Sequence, residues 1–123
     1  MYVLIIEPDH ILAKEYKRAF NEAGIDTKLC ASAQDAIMSI DEKMPDAVVV
    51  ELQLTGHSGI EFLHEFRSYE DWASIPVFVH SKIPEYAIGA DSNTWKSFGV
   101  VRYFYKPNTT TKQLIGAIKG QLS

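Results

Sequence analysis

The stretch Pro45-Asp46-Ala47-Val48-Val49-Val50-Glu51-Leu52 decides how this chain folds. Pro45 and Asp46 give a turn signal. The run from Ala47 to Leu52 is apolar and rich in β-branched residues, apart from one carboxylate. Such a run, bounded by a turn, predicts a strand buried on both faces. Glu51 stands at its C-terminal end, where open parallel α/β sheets hold their ligands. The loop Leu52-Gln53-Leu54-Thr55-Gly56-His57-Ser58-Gly59 follows and leads into an amphipathic helix.

Outward from that strand, elements alternate. Tyr2 to Glu7 is an apolar run closed by Glu7-Pro8-Asp9, a first strand and its loop. Residues 9 to 23 carry Ile11, Leu12, Tyr16, Ala19 and Phe20 at helical spacing, with Asp9 as N-cap and Gly24 as stop. A second strand is predicted over Thr27 to Ala31. Ser32 then caps a helix through Ala36, Ile37 and Ile40 that ends near Lys43. The third strand runs from Ala47 to Leu52, and Ser58 begins a third helix with Ile60, Phe62, Leu63 and Phe66 inward. Ile75 to His80 reads as strand four. Residues 83 to 98 predict a fourth helix, started by Pro84, with a break or an irregular start, because Gly89 and Asp91-Ser92-Asn93 weaken it. Val100 to Phe104 is strand five, and Thr109 to Thr111 cap a last helix with Leu114, Ile115 and Ile118.

Five strand–helix alternations imply right-handed crossovers and a parallel sheet with helices on both faces. The expected order is 2-1-3-4-5, with a crevice at the C-terminal ends of strands one and three. Glu7, Pro8, Asp9 and Glu51 would meet there.

Composition sets the class. With 123 residues, 46% hydrophobic and 23% charged, the chain is expected to form one globular domain over 1–123. A net charge of −4 argues against non-specific nucleic-acid binding, and Lys14, Lys17 and Arg18 read as a solvated helix face. The single cysteine, Cys30, lies in an apolar stretch and reads as a core residue in a reducing compartment. No apolar run spans a membrane, and Met1-Tyr2-Val3-Leu4-Ile5-Ile6 lacks a positive leader, so a cytoplasmic setting is expected. His57 and His80 have no partners at metal-ligand spacing. Trp72 and Trp95 are placed at edges, Trp95 on a candidate partner surface. No glycine-rich phosphate loop follows strand one, and no nucleophile–base–orienter set is recognisable, so an enzyme is not expected.

Five segments together resemble the receiver domain of two-component response regulators. They are Val3-Leu4-Ile5-Ile6-Glu7-Pro8-Asp9, Pro45 to Leu52, Gly56-His57-Ser58-Gly59, Ile75-Pro76-Val77-Phe78-Val79-His80-Ser81, and Gly99-Val100-Val101-Arg102-Tyr103-Phe104-Tyr105-Lys106-Pro107. The resemblance covers the chain from Val3 to Leu122. It implies a flavodoxin-like, doubly wound (βα)5 fold and a phosphorylation switch. In the family an aspartate ending strand three accepts the phosphoryl group. Magnesium sits beside it, held by an acidic pair after strand one and a backbone carbonyl after strand three. A hydroxyl residue and a lysine contact the phosphoryl group, and an aromatic residue of strand five changes rotamer. The face of helix four, strand five and helix five then changes partners.

The match departs from that pattern at its centre. Glu51 occupies the phosphoacceptor position, and its extra methylene displaces the carboxylate oxygens. Glu7 keeps the first acidic position, and Pro8 takes the second, which in the family is a direct metal ligand. Asp9 reads first as a helix cap and Glu7 as a solvated loop acid. No metal or other cofactor is expected; weak magnesium binding is the alternative. The resemblance places Ser81 at the hydroxyl position, Tyr103 at the aromatic position and Lys106 at the lysine position, with Lys106-Pro107 cis or trans.

If Glu51 points inward, its carboxylate reaches Lys106. Two readings of that pair stand side by side: a structural ion pair, or a built-in imitation of the phosphorylated state. The expected function is a signalling domain of two-component type that acts through protein contacts without phosphorylation. Its partner would be a histidine kinase, an output domain or another regulator, with homodimerisation through helix four, strand five and helix five as a further expectation. The alternatives are a working phospho-receiver that uses Glu7 and Asp9 for metal, and a structural dimerisation module of a larger regulator.

Overall fold

A computed structural model describes residues 1–54, 56 and 58–123; the expectation that His57 is no metal ligand lies outside them. The chain forms β1 (Tyr2–Ile6), α1 (His10–Glu22), β2 (Asp26–Cys30), α2 (Ala33–Glu42), β3 (Ala47–Val50) and α3 (Gly59–Arg67). It continues through β4 (Val77–Ser81), α4 (Glu85–Ile88), α5 (Ser92–Ser97), β5 (Val100–Tyr105) and α6 (Thr111–Leu122). Short 3-10 turns fill Glu70–Trp72 and Lys106–Asn108.

The strands form one parallel sheet in the order β2-β1-β3-β4-β5, as the alternation predicted. The period of two along each strand divides the core. Leu4, Ile6, Val48, Val50, Val77 and Val79 pack with residues of α2, α3 and α5. Val3, Ile5, Ala47, Val49 and Phe78 face α1 and α6, where Tyr16, Phe20, Leu114 and Ile118 close the second layer. A strand covered on both faces needs apolar residues at every position, which is why Ala47–Val50 reads as an unbroken run.

The helices begin where the sequence placed their caps. Asp9 accepts from the N–H groups of Ile11 and Leu12, Ser32 from Asp35 and Ser58 from Glu61, and Thr110 forms a capping box with Gln113. Gly24, with φ +78°, follows α1 in the left-handed conformation that its missing Cβ permits.

Several boundaries shift. β2 covers Asp26–Cys30 instead of Thr27–Ala31, and β3 stops at Val50, because beyond it the Glu51 side chain and the Leu52 carbonyl turn to loop partners. β4 covers Val77–Ser81 instead of Ile75–His80, and β5 extends to Tyr105, paired with Ser81. The fourth helix is divided into α4 and α5 around Gly89, at φ +75°, and Asp91 caps α5 through the Thr94 N–H. Trp72 and Trp95 are buried rather than at the edges, so Trp95 is no exposed partner contact; its ring packs against Phe98 and Tyr103. Cys30 is buried, as its apolar surroundings predicted. Among the described residues no helix is long and apolar enough to cross a membrane.

Candidate functional site

Parallel pairing brings four strand ends to one edge of the sheet. β1 ends at Ile6, next to Val50 of β3, so Glu7 and Glu51 leave the sheet side by side. Their backbones are still fixed there: the Glu7 N–H donates to the Cys30 carbonyl at 2.9 Å, and the Glu51 N–H to the Ile6 carbonyl at 3.1 Å. Ser81 closes β4 and Lys106 follows β5. This is the crevice where the strand order reverses.

Glu51 points inward and is 1% exposed. Its Oε1 accepts from the Lys106 ammonium at 2.7 Å and from the Lys82 backbone N–H at 3.0 Å. Its Oε2 accepts from the Ser81 hydroxyl and from the Gln53 backbone N–H, the latter at 3.0 Å. Burial is the largest influence on this carboxyl and pushes its pKa up. The hydrogen bonds from Lys106, Ser81, Gln53 and Lys82 together outweigh it and hold the pKa below the ordinary glutamate value.

Gly59 makes the loop after β3 possible. A Cβ on Gly59 would lie 2.5 Å from the Leu52 Cα and 3.0 Å from the Glu51 carbonyl oxygen. The first turn of α3 therefore rests directly on the backbone that carries Glu51, and the Gly59 N–H donates to the Leu52 carbonyl at 2.8 Å.

Glu7 is not a solvated loop acid. It is 3% exposed, and its Oε1 lies 2.5 Å from the Lys106 ammonium. Its Oε2 accepts from the Asp9 backbone N–H at 3.1 Å. The expectation failed because position 7 looks like the start of a loop, whereas β1 pairing carries its backbone one residue further. Asp9 acts as the helix cap. The Leu12 and Ile11 N–H groups hold its carboxyl below the usual aspartate range, and Lys106 and Lys82 add to that. Glu7 and Asp9 therefore belong to one cluster but have different partners.

A chain of hydrogen bonds leaves Glu51 toward β5. Ser81 Oγ donates to Glu51 and accepts from the Ile83 N–H at 3.0 Å, and the Ile83 carbonyl accepts from the Tyr103 hydroxyl at 2.5 Å. Tyr103 is half-buried, and burial pushes its phenol up to about 12. The local-backbone role weighed for Ser81 is thus present together with its bond to Glu51.

Sequence reasoning missed a buried polar pair below the crevice. The Tyr16 hydroxyl hydrogen-bonds His80 Nδ1, and their rings meet edge to face at 5.6 Å. His80 Nε2 is buried without a hydrogen-bond partner among the described residues. Burial, with the charge of Lys106 adding to it, brings the His80 pKa down to about 4 against the opposing pull of Glu51. Burial also raises the Tyr16 phenol, with Glu7 and Glu51 adding to the effect. Polar residues at otherwise apolar core positions were the only sequence signal.

The residues do not fit magnesium, which takes hard oxygens in strict octahedral geometry. Each oxygen of Glu7 and Glu51 already accepts a hydrogen bond, Pro8 offers no side-chain oxygen, and Asp9 Oδ1 is engaged in capping. Among the described residues no group of three potential ligands is arranged to hold a metal ion. Lys106-Pro107 is trans.

The response regulator receiver domain family model matches residues 3–119. The chain is 28% identical over 105 residues to the KDP operon transcriptional regulatory protein KdpE of Escherichia coli, covering 80% of this chain and 45% of KdpE. It thus spans about half the length of that relative. It is 25% identical over 120 residues to the polar-differentiation response regulator DivK of Brucella ovis, covering 98% of this chain and 94% of DivK. A CheY-like receiver domain protein from Methanospirillum hungatei superposes with a TM-score of 0.85 at 17% identity, covering 98% of this chain and 92% of that one, which supports the fold. With its sheet order, its strand-end cluster and a family match over nearly its whole length, the chain belongs to the response regulator receiver domain family.

Proposed function

We propose that this receiver domain signals without phosphorylation, with the Glu51 carboxylate holding the partners that a phosphoryl group would otherwise recruit. The observation that carries this reading is the occupancy of Glu51. Lys106, Ser81 and the N–H groups of Lys82 and Gln53 are all committed to its two oxygens. A nucleophilic oxygen in such a set is screened from an incoming phosphodonor, and in-line attack would first have to break the ion pair. The chain Glu51–Ser81–Ile83–Tyr103 carries the state of the site to β5, where the contact surface is expected.

The signal leaves through the face of α4, α5, β5 and α6. Tyr86 of α4 is 81% exposed and Val101 of β5 is 39% exposed, which suits a protein partner such as a kinase, an output domain, another regulator or a second copy. The test is amide NMR with magnesium and beryllofluoride, a phosphoryl mimic, on the native domain and on Pro8→Asp/Glu51→Asp. Shifts in the double variant alone support the reading. Shifts at Glu51, Ser81 and Tyr103 of the native domain would instead favour the working phospho-receiver.

A further inference from the structure

Lys106 faces two buried carboxylates, not one. Its Nζ lies 2.5 Å from Glu7 Oε1 and 2.7 Å from Glu51 Oε1. The Glu7, Glu51 and Lys106 side chains are 2%, 0% and 11% exposed. Two carboxylates in one dry site repel each other, and one loses its charge unless a cation lies between them. Among the described residues Lys106 is the only cationic side chain within ion-pair distance of either.

We propose that Lys106 is the resident counter-cation of Glu7 and Glu51, filling the place between them that a divalent ion would otherwise take, so that the state of this domain is independent of divalent metal. The inference deepens the reading of Glu51 given above and adds Glu7 to the same device. Glu7 is held in place from its other side, because Oε2 accepts the Asp9 N–H. Asp9 in turn lies close enough for the charge of Lys106 to act on its carboxyl. Without the ammonium, the Glu7 and Glu51 carboxylates would have no cation between them, and a divalent ion drawn into that place would find their hard, charged oxygens as donors.

The test uses Mn²⁺ as the probe, with no phosphodonor present, on the full chain. Paramagnetic broadening of amide signals and thermal stability are followed in native protein, Lys106→Met, Lys106→Arg and Lys106→Met/Glu7→Gln. The expected result is no site-specific broadening in the native protein or in Lys106→Arg. Lys106→Met should broaden at Glu7, Asp9 and Glu51 and gain thermal stability with millimolar Mn²⁺, and Lys106→Met/Glu7→Gln should lose both effects. Mn²⁺ broadening at those amides with Lys106 in place overturns the inference. So does a Lys106→Met protein that is folded yet blind to Mn²⁺, or one that is unfolded and not rescued by it. Failure of the phosphorylation-independent reading is separate, since it would appear as a response to the phosphoryl mimic.

Discussion

Glu51 and Lys106 stand 2.7 Å apart, carboxylate to ammonium, although 55 residues separate them in sequence. One leaves β3 and the other follows β5, with β4 between them in the sheet. Their pairing joins loops that the chain visits far apart in order, and Ser81 and Glu7 complete it.

Lys106→Ala removes the cation from two buried carboxylates. Breaking a buried pair from one side costs about 3–5 kcal/mol, much of it the cost of the stranded charge. Urea denaturation should show a loss of that size, whereas exposed Arg18→Ala on α1, which breaks solvent-screened surface pairs with Glu15 and Glu22, should change stability far less.

Ser81→Ala interrupts the path from Glu51 to Tyr103 while leaving the Lys106 pair in place. Loss of a buried hydroxyl that donates to Glu51 and accepts from Ile83 should cost about 1–3 kcal/mol. The Tyr103 ring signals should shift as well. Unchanged Tyr103 signals in a folded Ser81→Ala protein would break the proposed relay.

Stability should fall as the solution is acidified from pH 6.5. The unfolded chain protonates His80 near its ordinary 6.5, but the folded protein does so only near 4. Between those values the unfolded state binds more protons, so stability decreases as pH falls, by on the order of 3 kcal/mol in total. Glu51 adds a second loss below its ordinary 4.5, since its folded pKa is depressed and its stabilisation vanishes as pH drops through the lowered value. Urea midpoints measured across this range should show both steps, and His80→Gln should flatten the first.

Gly99→Ala should destabilise the protein at a distance from the crevice. Gly99 has φ +73°, and an added Cβ would lie 2.0 Å from Arg67 Nη2. That guanidinium donates to the carbonyls of Phe98, Trp72 and Ile75. Left-handed backbone costs a non-glycine residue about 1–2 kcal/mol, before any displacement of Arg67. Thermal unfolding should show at least this loss with the Glu51 environment unchanged by NMR.

The fold was largely legible because its signals are local and repeated. Ala47–Val50 announces a doubly covered strand, and Asp9, Ser32, Ser58 and Thr110 mark helix starts through short-range hydrogen bonds. Glu51 and Lys106 could be paired in advance because the strand order places their ends together. Glu7 could not, since whether its side chain turns to solvent or to Lys106 depends on a partner 99 residues away. The Lys82 and Gln53 donors are backbone groups, which carry no residue signature at all. The Tyr16 hydroxyl and His80 Nδ1 bond each other across 64 residues, and nothing near either position in the sequence indicates the other. Trp95 was misplaced because a polar stretch, Asp91-Ser92-Asn93-Thr94, surrounds a ring that α5 turns inward.

The most direct measurement of the central claim is the amide NMR spectrum of Glu51→Ala against native protein, with neither metal nor phosphodonor present. Shifts are expected to run from residue 51 through Ser81 and Ile83 to Tyr103 and the β5 face, because the Ser81 hydroxyl that accepts from Ile83 also donates to the Glu51 carboxylate. Shifts confined to the immediate neighbours of residue 51, with Ile83 and Tyr103 unchanged, would contradict it.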